Sequence, residues 1–328
     1  MSLRRAKITA VGTFVPQRIV TNDELSLTLD TSDEWISART GIRERHIAGK
    51  EAASDLGAVA ARRALEAAGV GAGKVDLIIV ASLSPDALFP STASYISAAI
   101  GAGVAPVFDL SAACTGFIYA LSVGAAYIAS EQAERVLIIG ADVASKMVDW
   151  TDRRTAVLFG DGAGAVLLEP AGEGEEGIIG FSLGNDPAGV DQLSIPAGGS
   201  RLPATEATVA EHMHFIQMNG REVYKFASRI IVSSARQVLQ EHGRRVEDVD
   251  LFVPHQANIR IIDSAARRLG IPPEKVFSNL ERYGNTSCAS IPLCLDEAAT
   301  GGRLKRGDLV LMVGFGGGLS WGSCLARW

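Results

Sequence analysis

Ala61-Arg-Arg-Ala-Leu-Glu-Ala-Ala-Gly69, followed after a short turn by Val75-Asp-Leu-Ile-Ile-Val80, returns later as Ala235-Arg-Gln-Val-Leu-Gln-Glu-His-Gly243 and then Val249-Asp-Leu-Phe-Val253. The copies align without gaps: Leu65 and Leu239, Gly69 and Gly243, and Asp76 and Asp250 all stand 174 residues apart. Each reads as an amphipathic helix stopped by a glycine, a short loop and a buried strand. A duplicated helix-loop-strand unit predicts a chain built from two similar halves.

The ends of the halves correspond more loosely. Val136-Leu-Ile-Ile-Gly140, then Gly160-Asp-Gly-Ala-Gly164 and Val166-Leu-Leu168, is matched by Leu309-Val-Leu-Met-Val313, then Gly314-Phe-Gly-Gly-Gly318. Helices alternating with continuous apolar strands predict mixed, largely parallel sheets covered on both faces, an α/β fold with halves over 1–170 and 171–328 related by a pseudo-twofold axis. Residues of about 170 to 220 are rich in Gly, Pro and Glu with little periodicity, and are expected to be linker and loops. Gly160–Gly164 has neither dinucleotide-fingerprint nor P-loop spacing and is expected to be a turn between strands.

Composition narrows the function. The chain has 328 residues, 47% hydrophobic and 21% charged, which is ordinary for a folded globular protein. A formal net charge of −6 argues against nucleic-acid binding, so any basic partner site must be local. No signal-peptide pattern and no long apolar run is present, so a cytoplasmic protein with no membrane partner is expected. Four cysteines, Cys114, Cys288, Cys294 and Cys324, lack C-x-x-C spacing; they read as reduced thiols and suggest no metal site.

The repeat also orders the candidate chemical groups. Cys114 follows Asp76 by 38 residues and Cys288 follows Asp250 by 38, so the two cysteine segments occupy equivalent places and could face one another near the pseudo-axis. Cys114 lies between a strand-like run, Pro106 to Leu110, and an apolar helix, Thr115 to Ala129. A helix N-terminus there lowers a thiol pKa and prepares a nucleophile, while a packed core cysteine is the plain alternative. His255, in Val253-Pro-His-Gln-Ala-Asn258, projects from the C-terminal end of a buried strand, where open α/β sheets place ligands. The other four histidines, His46, His212, His214 and His242, read as surface residues. Asn285, in Tyr283-Gly-Asn-Thr-Ser287, is a turn or N-cap residue unless its equivalence to the Cys114 loop matters. Gly314-Phe-Gly-Gly-Gly318 suits close presentation of a backbone amide, as an oxyanion hole requires.

The ordered set Ala-Cys-Thr-Gly-Phe, Pro-His-Gln-Ala-Asn, Gly-Asn-Thr-Ser and Gly-Phe-Gly-Gly-Gly resembles β-ketoacyl-acyl-carrier-protein synthase III of the thiolase-fold family. Asp30-Thr-Ser-Asp-Glu-Trp35 and Arg39-Thr-Gly-Ile-Arg-Glu-Arg-His46 extend the likeness. It implies a thiolase-like fold, two α/β halves with mixed five-stranded sheets in an α-β-α-β-α layering. It further implies a Cys114, His255 and Asn285 triad, with the backbone amides of Cys114 and Gly317 holding an oxyanion. Acyl-CoA would acylate Cys114; malonyl-acyl-carrier protein would then lose CO2 and attack it by Claisen condensation, giving a 3-oxoacyl-carrier protein that initiates fatty-acid synthesis.

By the same resemblance, CoA would meet Trp35, Arg39, Thr40, Arg153, Tyr224, Ala257 and Asn258. Phe89, reaching from a partner subunit of a homodimer, and Met218 would wall the acyl pocket. Lys225, Arg260, Arg267 and Arg268 would form the basic patch for the acidic carrier protein, although each alone also reads as a solvated helix face. CoA is a substrate, and no cofactor is implied. Arg154, Asn219 and Cys288 depart from the family's usual residues and leave the starter acyl group open. Delivery of the acyl group to a hydroxyl or amine instead is disfavoured because His255 and Asn285, which decarboxylation needs, are both present. A silent carrier-protein binder would have lost its nucleophile or base, and neither is lost.

Overall fold

The computed structural model describes residues 4–328, so Met1 to Leu3 lie outside the described residues. Nine strands form two principal sheets. The first comprises β1 (Ala6–Phe14), β2 (Leu77–Ala81), β3 (Val107–Leu110), β4 (Val136–Val143) and β5 (Asp161–Pro170), in spatial order β1-β5-β4-β2-β3. The second comprises β6 (Ile178–Asn185), β7 (Leu251–Pro254), β8 (Leu309–Gly316) and β9 (Ser320–Arg327), in order β7-β8-β9-β6. Both sheets are mixed: β2 pairs in parallel with β3 and β4, and β7 with β8, whereas β1–β5, β5–β4, β8–β9 and β9–β6 are antiparallel. The main helices are α1 (Asp33–Thr40), α2 (Ala53–Ala68), α3 (Thr92–Ile100), α4 (Gly116–Ala129), α5 (Gly220–Glu241), α6 (Ile259–Leu269) and α7 (Ser290–Thr300).

Strand alternation explains the layering. Along β2, Ile78 and Val80 pack outward with Leu56, Ala61 and Ile96 of α2 and α3, while Leu77 and Ile79 face inward. Along β8, Leu309, Leu311 and Val313 pack outward with α5 and α6, while Val310 and Met312 face inward. Between the sheets lie Phe117, Ile118 and Leu121 of α4 with Ile291 and Leu295 of α7. The order is therefore α-β-α-β-α, and the central helices bury apolar residues against both sheets, α7 turning polar in its last turns at Asp296 and Glu297.

The 174-residue offset persists well past the motif that revealed it. The turns Ala72–Lys74 and Val246–Asp248, the starts of β2 and β7, and the starts of α4 at Gly116 and α7 at Ser290 all obey it. So do two non-glycine residues held at positive φ, Ala113 (47°) and Ser287 (50°). The halves differ at one edge: where the first has β3, the second keeps a single parallel bridge from Phe252 to Val276. Pro272 and Pro273 precede it, and proline has no N–H to donate to a ladder.

Two expectations need correcting. Residues 170 to 220 are not only linker, since they contain β6, which pairs with β9 over Ile178 to Asn185. Nor is Gly160–Gly164 a turn: Asp161 to Gly164 begin β5. Its glycines serve close approach, for a Cβ on Gly164 would stand 2.6 Å from the Pro292 side chain and one on Gly160 would stand 2.2 Å from the Tyr283 carbonyl oxygen. A strand that must lie against α7 and the Asn285 loop needs them.

Candidate active site

Cys114 sits in a one-turn helix, Ala113–Thr115, that leads straight into α4. The equivalent turn, Ser287–Ala289, leads into α7. The two turns meet at the pseudo-axis, where the Cys288 thiol donates to the Ala113 carbonyl at 3.0 Å. The Asn285 backbone is held by a bridge to Phe159: its N–H donates to Leu158 O at 2.8 Å, and Gly160 N–H donates to its carbonyl at 3.0 Å. His255 leaves the end of β7 with its N–H bonded to Val313 O.

These three side chains line one pocket of about 100 Å³, together with Met218, Tyr224, Ala257, Asn258 and Phe315. Cys114, His255 and Asn285 are each at most 7% exposed. Gly316 forms the wall beside the nucleophile, since a Cβ there would come within 2.8 Å of the Cys114 nitrogen; Gly317 follows it, against Ala113 and Leu193. The space beside Cys114 thus stays open because two consecutive residues lack side chains.

Burial sets the protonation states. It pushes the Cys114 thiol up to about 12, against a hydrogen bond with Ser287, with the Asp142 charge adding to the rise. That is the opposite direction to the lowering expected from a helix end, and desolvation at a closed site is its largest cause. Burial alone pushes His255 down to about 3. Both groups are therefore neutral at rest, a thiol beside a neutral imidazole. His255 Nδ1 pairs with Ser290 Oγ at 2.7 Å, and Phe315 stands edge-on to its ring at 5.4 Å.

The expected CoA residues fall into two groups. Tyr224, Ala257 and Asn258 line the pocket, whereas Trp35, Arg39, Thr40 and Arg153 are not among its lining residues. Arg39 and Arg153 stack over the Trp35 ring at 4.5 and 5.2 Å, and Arg153 donates to Asp30 O at 2.6 Å. Asn258 joins the groups, capping α6 through Arg260 N–H while its side-chain amide donates to Arg39 O at 3.0 Å. Thr40 is buried, its hydroxyl donating to Ile36 O.

Other expected residues lie apart from the pocket. Phe89 is 86% exposed and does not line the pocket. Lys225, Arg267 and Arg268 are exposed on α5 and α6; Lys225 pairs with Glu222, and the Arg260 guanidinium donates to Ala38 O of α1. The three departures have local explanations: Arg154 pairs with Asp152, Asn219 caps α5, and the Cys288 thiol makes the contact across the axis.

Sequence reasoning missed Ser287, Ser290, Phe315 and Asp142. The first two were accessible through the 174-residue offset, as the partners of Ala113 and Gly116. Asp142 carried no signal: it is fully buried and bonds the 82–84 loop to Cys288 N–H.

Comparison with known proteins bears on this arrangement. Residues 108–187 match the family model described as 3-oxoacyl-[acyl-carrier-protein (ACP)] synthase III, and residues 239–328 match its C-terminal model. The β-ketoacyl-[acyl-carrier-protein] synthase III of Symbiobacterium thermophilum is 53% identical, covering 100% of this chain and 99% of its own. The crystal structure of 3-oxoacyl-[acyl-carrier-protein] synthase III from Aquifex aeolicus VF5 superposes with a TM-score of 0.91 at 44% identity, covering 98% of this chain and 100% of its own. The corresponding enzyme of Pseudomonas aeruginosa PAO1 gives a TM-score of 0.92 at 41% identity, with 99% and 98% covered.

Proposed function

Because the chain belongs to the 3-oxoacyl-[acyl-carrier-protein] synthase III family, we propose that Cys114 carries the acyl group and that His255 and Asn285 direct its condensation. The enzyme is an acyltransferase that condenses acyl units in fatty-acid synthesis, using acyl-CoA and malonyl-acyl-carrier protein. The observation that carries the residue assignment is the single small pocket lined by Cys114, His255 and Asn285 together.

In the first half-reaction the Cys114 thiol loses its proton to neutral His255 as sulfur attacks the thioester carbonyl. The amides of Cys114 and Gly317 hold the tetrahedral oxyanion, and CoA leaves with that proton. In the second, the malonyl thioester sheds CO2; hydrogen bonds from His255 and Asn285 hold the enolate oxygen. The carbanion attacks acyl-Cys114, and the thiolate released takes a proton from water. Loss of CO2 drives the bond formation, so the scheme calls on no metal or redox cofactor. Trp35, Arg39, Thr40 and Arg153 would receive the nucleotide end of CoA, with Asn258 beside its pantetheine arm. Cys114→Ser is expected to abolish acyl transfer, read by intact mass after mixing with acyl-CoA. Full acylation of that variant would overturn the assignment.

Assembly belongs to the same reading. Leu88 and Phe89, adjacent and 85% and 86% exposed, fit insertion into a second copy. Light scattering should give twice the 34.5 kDa chain mass; a monomer at assay concentration would remove Phe89 from the acyl pocket. Lys225, Arg260, Arg267 and Arg268, exposed on α5 and α6, would form the basic patch that receives the acidic carrier protein. Four unpaired cysteines fit the reducing cytoplasm. Among the described residues, no helix is long and apolar enough to cross a membrane.

A further inference from the structure

We infer that Ser290 is a positioning residue that lets His255 change tautomer between the two half-reactions, an inference that rests on the proposed roles of Cys114 and His255. Ser290 is buried, lies behind the imidazole rather than in the pocket, and has its Oγ 2.7 Å from His255 Nδ1. His255 itself lines the pocket, so Nε2 is the ring nitrogen left for substrate. A neutral imidazole carries one proton, and whichever nitrogen holds it fixes what the other offers.

The two half-reactions ask for opposite tautomers. Taking the thiol proton requires a lone pair on Nε2 and hence a proton on Nδ1, donated to Ser290 Oγ. Holding the enolate oxygen requires Nε2–H and hence a bare Nδ1, which accepts the Ser290 O–H. The proton that His255 takes from Cys114 leaves on CoA, so the first half-reaction returns the ring to its Nδ1–H form. One proton gained from water at Nε2, on the pocket side, and one released from Nδ1 by way of the Ser290 hydroxyl then complete the exchange, with no net change in charge. A hydroxyl can pair with either form by rotating. A carboxylate or carbonyl in its place accepts only, and would lock the Nδ1–H form that suits acylation alone.

The position of Ser290 supports this role. It is the first residue of α7, so its hydroxyl is held at a fixed place behind the ring, whose burial disfavours a standing imidazolium. Among the described residues, no carboxylate is bonded to His255. The ring is therefore kept neutral and free to choose.

The test separates the half-reactions in Ser290→Ala and Ser290→Asp. Acyl transfer from acyl-CoA is followed by intact mass, CO2 release from radiolabelled malonyl-carrier protein by scintillation, and the ring tautomer by 15N NMR of His255. Ser290→Asp should keep acylation within about threefold and slow CO2 release by roughly a hundredfold or more, as a wrong tautomer does elsewhere. Its spectrum should report Nδ1–H. Ser290→Ala should slow CO2 release by roughly tenfold and leave the ring a mixture of tautomers. CO2 release at the parental rate in either variant, or an unchanged 15N pattern in Ser290→Ala, overturns the inference. Should Ser290→Asp not fold, Ser290→Ala decides alone. If the parent enzyme itself neither acylates Cys114 nor releases CO2, it is the functional reading that fails.

Discussion

Cys114 and His255 owe their neutrality to the same cause, loss of water, acting on groups of opposite charge type. The sign of each contribution to stability follows from which state binds the extra proton. His255 falls from 6.5 to about 3 on folding, so between those values the unfolded chain is the more protonated. Its contribution is complete above 6.5 and is lost as pH falls toward 3. Cys114 rises from 9.0 to about 12, so the folded chain is the more protonated there and stability is lost as pH climbs through that window. Thermal melts from about pH 4 to about pH 8 should therefore show a steeper acid limb in the parent than in His255→Gln, which has no ring to charge. Parallel limbs would mean that His255 is not desolvated as described.

At the scale of elements, what could be read from the chain was whatever local periodicity and turn chemistry express. The helix-glycine-strand unit of Ala61 to Val80 and its copy were visible because they are contiguous, and they led to the α/β layering and to the pairing of the Cys114 and Asn285 loops. His255 was visible because its strand ends abruptly at Pro254. The strand at Asp161 was hidden because its glycines mimic a turn, and their cause, Pro292 and Tyr283, lies more than a hundred residues away. The direction of the Cys114 shift is hidden from the sequence for the same reason. A helix end can be seen in sequence, whereas the degree of closure over it depends on β8, the Ser287 turn and α5 together. Ser290 reads simply as the start of a helix until β7 brings His255 to it.

The molecule as a whole joins its halves through polar contacts as well as apolar helices, and Asp142 is the chief of these. This fully buried carboxylate at the end of β4 accepts through Oδ1 from the Ser82 hydroxyl, Leu83 N–H, Ser84 N–H and the Ser84 hydroxyl, at 2.8 to 3.1 Å. Through Oδ2 it accepts from Cys288 N–H at 3.0 Å, so one side chain of the first half pins the second half's turn three residues beyond Asn285. No arginine or lysine neutralises it among these contacts; five donors share its charge. In Asp142→Asn the amide NH2 must face either Cys288 N–H or the crowded donors of the 82–84 loop, and a buried donor is then left without an acceptor. That costs about 1–3 kcal/mol. The same change removes the charge that helps hold the Cys114 proton, so acyl transfer should be spared or quickened. Placement of Asn285 should suffer. Asp142→Asn is therefore expected to melt lower, to acylate at least as fast as the parent, and to release CO2 more slowly. Ser84→Ala, which removes one hydroxyl donor to Oδ1 and the acceptor of Val143 N–H but leaves the Cys288 contact intact, should shift both rates less. Equal losses in the two half-reactions would make Asp142 a general stabiliser rather than a tether for one side of the site.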